Sequence, residues 1–295
     1  MAAGTDLTEF IKSDLTHNAN ISIPLKAGFI ERLLVRYASI DNLHVNPADE
    51  FCFKDIGPNY SIISEYEQKI RKGQRFDNSW LYIKEPLIVL KIYPTGYMLL
   101  NGHHRWAAAK RANLKWVPVN IINITTEDDI EKMLSHTSHT KRATIDLDEV
   151  VFCSENDEYL EKKLPFPLSH IYRERLRLGI PALFNYLRNH EYDIWVYTSK
   201  YYSPLYIKSL FLRHHVHLTG IITGSSRTAR LNTAPKRKIE QMFRDKYTKT
   251  LNIYADMLLL IPQKTYEYEQ YDLDSSSPEW AVEVKKVIEE IEKKL

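Results

Sequence analysis

The chain has 295 residues, 44% of them hydrophobic and 26% charged, which is the balance of an ordinary folded protein with room for two domains. That balance argues against disorder, collagen and coiled coil, and no apolar run approaches the ~20 residues of a membrane-spanning helix, so no membrane partner is expected. A net charge of +2 does not indicate a dedicated nucleic-acid binder, although a nucleic-acid partner stays open, and neither GxGxxG nor GxxxxGK[ST] occurs among the nine glycines.

The opening MAAGTDLTEFIKSDL lacks the basic start and apolar core of a secretory signal, so a cytoplasmic address is expected. Cys52 and Cys153 stand far apart without metal-ligand spacing and read as buried thiols. From Pro24, LKAGFIERLLVRY has helical apolar spacing, and SIDNLHVNPADEF follows as a strand or turn entering an acidic pair. SIISEYEQKIRKG predicts a surface helix stopped by Gly73, and PLIVLKIYPTGYMLLNG a β-hairpin turning at Pro94-Thr95-Gly96. A helix then starts just after Gly102, and VPVNIINI returns as a strand. Residues 1–124 therefore read as a compact α+β domain, and residues 125–141, a short capped helix followed by a Ser/His/Thr stretch, as a linker.

Residues 142–295 change pattern. Strands ATIDL, DIWVYTS, GIIT and LNIYAD alternate with helices IPALFNYLRNH, SPLYIKSLFLRHH and KRKIEQMFRDKY, which predicts a parallel, doubly wound α/β sheet. SPEWAVEVKKVIEEIEKKL reads as a Ser-capped amphipathic helix packing through Trp280, Val282, Val287, Ile288 and Ile291. Ligands of such sheets bind beyond the carboxyl ends of the strands. Asp146 and Asp148 stand at one end, Thr198 and Ser199 at the next, Asp256 after the last, with Lys236 and Lys238 opening a helix between. Carboxylates, a hydroxyl and a cation meeting in one crevice suit phosphoryl transfer: one carboxylate attacks phosphorus, a second handles the proton, and cations neutralise oxygens.

In order and spacing, DLDEV, VYTS, the lysine of APKRKIEQ, and IYAD resemble the four motifs of the haloacid dehalogenase-like (HAD) phosphatases, over roughly residues 141–262. The resemblance implies Asp146 as nucleophile, Asp148 as general acid/base, Thr198 holding the phosphoryl group, and Lys236 or Lys238 steadying the phosphoaspartate. It also implies Mg²⁺ on Asp146, Asp148 and Asp256, with little or no cap over the site. Val150 replaces the usual Thr or Ser, and the fourth motif has a single acid.

In the first half, Asn101-Gly102-His103-His104-Arg105 leads into a helix whose free N–H groups, dipole and arginine suit a phosphate. The alternative is that His103 caps the helix and Arg105 pairs with a carboxylate. The wider string, over roughly residues 38–122, resembles the ParB/sulfiredoxin fold, in which a G-x-x-R segment binds nucleotide phosphates. His103 stands where sulfiredoxin needs Cys, and no helix-turn-helix reader follows as in the partition proteins. The free serine kinase type remains. It implies a nucleotide (ATP, ADP or CTP) on Gly102, His103, His104 and Arg105, and Glu50, with Asp49 as neighbouring alternative, as the base.

The expected protein is thus a bifunctional phosphatase and kinase-like enzyme acting on a small metabolite, nucleotide or nucleic-acid end. Two alternatives stand beside it: a nucleotide sensor regulating the phosphatase, and a ParB-like nuclease or DNA-binding accessory. The oligomeric state is open.

Overall fold

The computed structural model describes residues 7–18, 23–33, 35–72, 85–154, 157–224, 234–262 and 267–294. The chain divides into two compact units, Met1–Asn123 and Ile124–Leu295.

In the first unit α1 (Leu7–Asn18), β1 (Ile23–Pro24), α2 (Phe29–Leu33), β2 (Arg36–Ser39) and β3 (Leu43–His44) precede α3 (Tyr60–Arg71). The hairpin β4 (Leu87–Tyr93) and β5 (Tyr97–Asn101), helix α4 (His103–Arg111) and strand β6 (Trp116–Ile122) complete it. The sheet is mixed, ordered β2-β6-β4-β5-β3, with β1 beside β4; β4 runs parallel to β6 and antiparallel to β5. Leu87 and Val89 of β4 and Val117, Val119 and Ile121 of β6 alternate onto one buried face, and α4 lays Trp106 to Ala109 into the same core. That anchorage holds the start of α4 beside the end of β5.

The long helix expected after Pro24 is not formed. Among the described residues there only Phe29–Leu33 is helical, because the Asn123 side chain brackets Ala27, accepting from its N–H (2.9 Å) and donating to its carbonyl (3.1 Å), and Arg36 onward pairs with β6. Helix α3 ends at Arg71, and Gly73, its expected stop, lies outside the described residues.

The second unit opens with α5 (Glu127–Ser135) and β7 (Lys141–Asp146), then a single π-helical turn, Leu147–Val151. A small hairpin of β8 (Phe152–Cys153) and β9 (Arg175–Leu176), with the short α6 (Leu168–Ile171) between, leads to α7 (Ile180–Asn189). Next come β10 (Tyr192–Thr198), α8 (Pro204–Arg213), β11 (Gly220–Thr223), α9 (Ala234–Lys246), β12 (Lys249–Ile253), β13 (Met257–Pro262), β14 (Glu269–Asp272) and α10 (Trp280–Lys293). The sheet order is β11-β10-β7-β12-β13-β14. Its first four strands are parallel, as expected, whereas β13 and β14 add antiparallel to the edge. LNIYADMLLLI is apolar on both sides of the short turn at Tyr254–Asp256 except at Asn252, so a hairpin fits where one strand end was read.

Both sheet faces are covered. Ile194 and Val196 of β10 pack in a core with residues of α7, α8 and α10, while Trp195 between them packs with Phe243, Tyr247 and α5. Residues 125–141, expected as a linker, are therefore built into this unit: α5 carries a Thr126–Asp129 capping box and buries Ile130 and Leu134, four apart on one face. Helix α10 begins after Glu279 without a side-chain cap; Ser277, the expected cap, instead hydrogen-bonds Glu283 and the Glu279 N–H. Val284 takes the buried position expected for Val282, which is exposed. Glu292 fastens the helix, accepting from Lys249 Nζ (2.7 Å), Lys141 Nζ (3.2 Å) and the Tyr192 hydroxyl.

Candidate functional site

Two clusters follow strand ends, one in each unit. In the first, Gly102 turns the chain from β5 into α4 at φ +96°, in the left-handed region that favours glycine. A Cβ there would meet Leu87 Cδ2 at 2.7 Å and Arg105 Nη2 at 3.0 Å, so the guanidinium passes directly over the turn. No side chain caps α4, so His103 is not the cap, and its first-turn amides keep the donor character of a helix start. Arg105 donates to the Glu85 carbonyl (2.7 Å) and Asn101 Oδ1 (3.3 Å), with the exposed Glu85 carboxylate at 3.4 Å.

His103 is 4% exposed, with Nδ1 3.4 Å from Asp49 Oδ2 and Nε2 3.5 Å from the Asn46 N–H. Burial drives its pKa down to about 4 against the opposing pull of Asp49. A neutral ring protonated on Nδ1 serves both contacts, which makes His103 the strut of the 46–52 loop and not an open phosphate ligand. His104 accepts from the Asn59 N–H at 3.1 Å, and burial lowers its pKa too.

Of the acidic pair, Asp49 is the one turned inward: it faces His103 and caps the short 3-10 turn through the Phe51 N–H. Glu50 is exposed, so Asp49, the neighbouring alternative, is the carboxylate at this cluster. Spacing alone left the two equivalent; the Asn46 turn decides between them, with Asn46 Oδ1 accepting from Ala48 N–H and its carbonyl from Asp49 N–H.

In the second unit Asp146 ends β7, 3% exposed, opposite Tyr197 of β10. Its Oδ1 accepts from the N–H groups of Asp148 (2.7 Å) and Glu149 (3.1 Å), folding the chain into the π turn. Asp148 is thereby carried back toward β10, where its Oδ2 accepts from Thr198 Oγ1 (2.8 Å), the Ser199 N–H (2.9 Å) and Ser199 Oγ (2.9 Å). Its Oδ1 is buried with no hydrogen-bond partner, 3.6 Å from the Lys200 ammonium.

Thr198, expected to hold the phosphoryl group, thus anchors Asp148. Lys238 is committed elsewhere, ion-paired to Glu127 and 3.8 Å from Glu131, which raises its pKa. The side chain of Lys236 lies outside the described residues. Asp256 sits exposed in the turn between β12 and β13, and Asp146, Asp148 and Asp256 form no group that could hold a metal ion among the described residues. The expected Mg²⁺ set is therefore not assembled: Asp148 is held by the donors of β10 and Asp256 by its hairpin turn.

Residues 79–137 match the family model described as the ParB N-terminal domain, which takes in β4, β5, α4, β6 and α5. This stretch of the chain is ParB-like. Two solved structures of chromosome-partitioning protein ParB from Caulobacter crescentus are also similar, both C-terminally truncated. The one complexed with CTP-gamma-S is 23% identical over 36% of this chain and 56% of that chain, with a TM-score of 0.25. The one complexed to the centromeric parS site is 22% identical over 34% and 46%, with a TM-score of 0.23. The match thus spans about half the length of those chains. No curated protein matches.

The ParB-like stretch contains the whole Gly102–Arg105 turn. Sequence reading placed Ser199 with Thr198 at the strand end but gave it no part in anchoring Asp148, and it read Lys200, like Lys236 and Lys238, as a cation that an ordinary surface role would also explain; the signal was their position, directly after Thr198.

Proposed function

We propose that the second unit hydrolyses phosphomonoesters through an aspartyl phosphate, as the HAD phosphatases it resembles do, and that the first holds nucleotide phosphates at the start of α4. The observation that best supports the hydrolase reading is Asp148 Oδ1, buried, without a hydrogen-bond donor and in the same turn as Asp146. A buried acceptor without a donor needs a reason, and a group that passes a proton to a leaving oxygen supplies one.

In this scheme an Asp146 oxygen attacks phosphorus. The bond to the leaving oxygen breaks as Asp148 delivers its proton there, and the alcohol departs. Water then attacks the acyl phosphate, Asp148 takes its proton, and phosphate leaves with the Asp146 carboxylate restored. Lys200, the cation at Asp148, offsets the charge that builds up. The chemistry is tested with an aryl phosphate: Asp146→Asn should lower hydrolysis by on the order of 10⁴-fold or more while leaving the thermal melt in place. Equal rates in the two proteins would remove Asp146 from the reaction.

For the first unit, the uncapped α4 start with a guanidinium across it supports anion binding, and the ParB-like match supports nucleotide phosphates as the anion. Whether it transfers phosphate or only senses nucleotide turns on Asp49. In the Asp146→Asn background, Asp49→Asn should abolish transfer to an added hydroxyl acceptor but retain nucleotide affinity, with Glu50→Gln much milder. Nucleotide binding with no transfer by the parent protein selects the sensor, and salt-sensitive retention of DNA selects the DNA-binding alternative.

A further inference from the structure

Both segments of the phosphoryl site run directly into aromatic residues. Phe152 follows the π turn that carries Asp146 and Asp148, and Tyr202 stands two residues after Lys200, within roughly 7 Å of chain. Tyr202 stacks on Tyr206 of α8 with ring centroids 5.9 Å apart and planes 6° from parallel. Phe152 meets Tyr202 edge-on at 5.8 Å, and Tyr172 leans on Tyr206 at 5.3 Å. None of the four is fully buried, although they edge the main core of the unit.

At the hydroxyl end of this stack is a carboxylate. Glu174, placed just before β9 by the β8–β9 pairing, accepts from the Tyr206 hydroxyl. Burial pushes the Tyr202 phenol up, and Glu174 and then Asp148 push it further, so this ring lies in the field of both carboxylates. Partly exposed aromatic rings beside the site offer stacking, and a carboxylate offers an acceptor to N–H groups lying in the plane of whatever stacks.

We propose that Tyr202, Tyr206 and Glu174, with Phe152 beside them, form a base subsite, so that the phosphomonoester taken by Asp146 is carried by a nucleotide. This rests on the hydrolase reading and gives it a substrate class. A nucleobase is flat on its faces and bears N–H donors along its edge, the two features that the tyrosines and Glu174 complement. It comes as a free nucleoside monophosphate or as the phosphorylated end of an oligonucleotide.

The test compares kcat/KM of the full chain for 5′-nucleoside monophosphates and 5′-phosphorylated oligonucleotides with that for glycerol phosphate, which has no base. The wild type should prefer a base-bearing substrate by tenfold or more; whichever of the two is faster identifies the source. Tyr202→Ala and Glu174→Gln should each cut that preference by roughly tenfold, and Tyr202→Phe, which keeps the ring, should restore most of it. A wild type with no preference, or a preference unchanged in both variants, overturns the subsite. If no phosphate ester is hydrolysed, the hydrolase reading fails by itself. Calorimetry with a nucleoside monophosphate against inorganic phosphate then decides the subsite: base-dependent binding lost in Tyr202→Ala upholds it, and equal affinity overturns it.

Discussion

The start of α4 and the end of β7 present the same backbone problem and solve it oppositely. In each, a strand passes into a helical turn whose first N–H groups need acceptors. At Gly102 no side chain answers them, and Arg105 adds positive charge above the turn. At Asp146 the strand's last residue answers them itself, accepting from the N–H groups of Asp148 and Glu149. One turn is left ready to receive an anion; the other is already occupied by one that belongs to the protein. A carboxylate held this way is oriented and buried, which suits a nucleophile, whereas an open turn suits a ligand.

The sharpest way to break this contrast is at Asp148. If its Oδ1, which lies beside the Lys200 ammonium and accepts no hydrogen bond, handles the proton, Asp148→Asn should lower aryl phosphate hydrolysis by ~10²–10⁴-fold and flatten one limb of the pH–rate profile. A variant of unchanged rate would reduce Asp148 to a tether for β10.

Acid should separate the two units next. His103 stays neutral in the fold down to about pH 4, whereas an ordinary histidine protonates near 6.5, so the first unit loses stability as pH falls from about 6.5 through 4. Burial alone would raise the Glu292 pKa, but Lys249, Tyr192 and Lys141 outweigh it and hold it at about 2 against an ordinary 4.5. Its contribution is therefore complete above about pH 4.5 and is lost as pH falls toward 2. Each effect amounts to at most roughly 3–4 kcal/mol. Amide hydrogen exchange on the full chain should show α4 loosening at a higher pH than α10; the reverse order would refute the assignment of these two groups.

Arg105→Ala should weaken nucleotide binding by ~1.5–3 kcal/mol, the worth of a charge-assisted hydrogen bond, without touching phosphatase activity. Calorimetry on both proteins checks it, and equal affinities would leave Arg105 as the partner of Glu85 alone. The smallest effect is at the turn itself: Gly102→Ala forces a Cβ into the left-handed region and should cost ~1–2 kcal/mol in urea denaturation. A neutral result would mean that the turn relaxes and the open amides are not held in place.

Much of this was readable from residues alone. β-rich apolar runs announced β4, β6, β7 and β10, and the Pro-Thr-Gly turn announced the β4–β5 hairpin, because these signals depend on neighbours a few positions apart. The 125–141 stretch misled because its Ser, His and Thr residues look like a linker, whereas Ile130 and Leu134 are enough to dock α5. The antiparallel β13 was missed because an apolar run shows burial but not direction, and β14 because Glu269–Asp272 is largely polar and exposed.

The sequence by itself determined the alternating pattern of the second half, the position of Asp146 and Asp148 at a strand's end, and the glycine that breaks into α4. These follow from local spacing and local backbone preference. Only the tertiary structure decided that Asp49 and not Glu50 meets His103, that Thr198 and Ser199 hold Asp148, that Lys200 stands beside it while Lys238 pairs with α5, and that Asp256 stays in an exposed turn. Each of those outcomes depends on which side chain faces another across a sheet or loop. That is a matter of register and packing between segments distant in the chain, and residue spacing along one segment does not contain it.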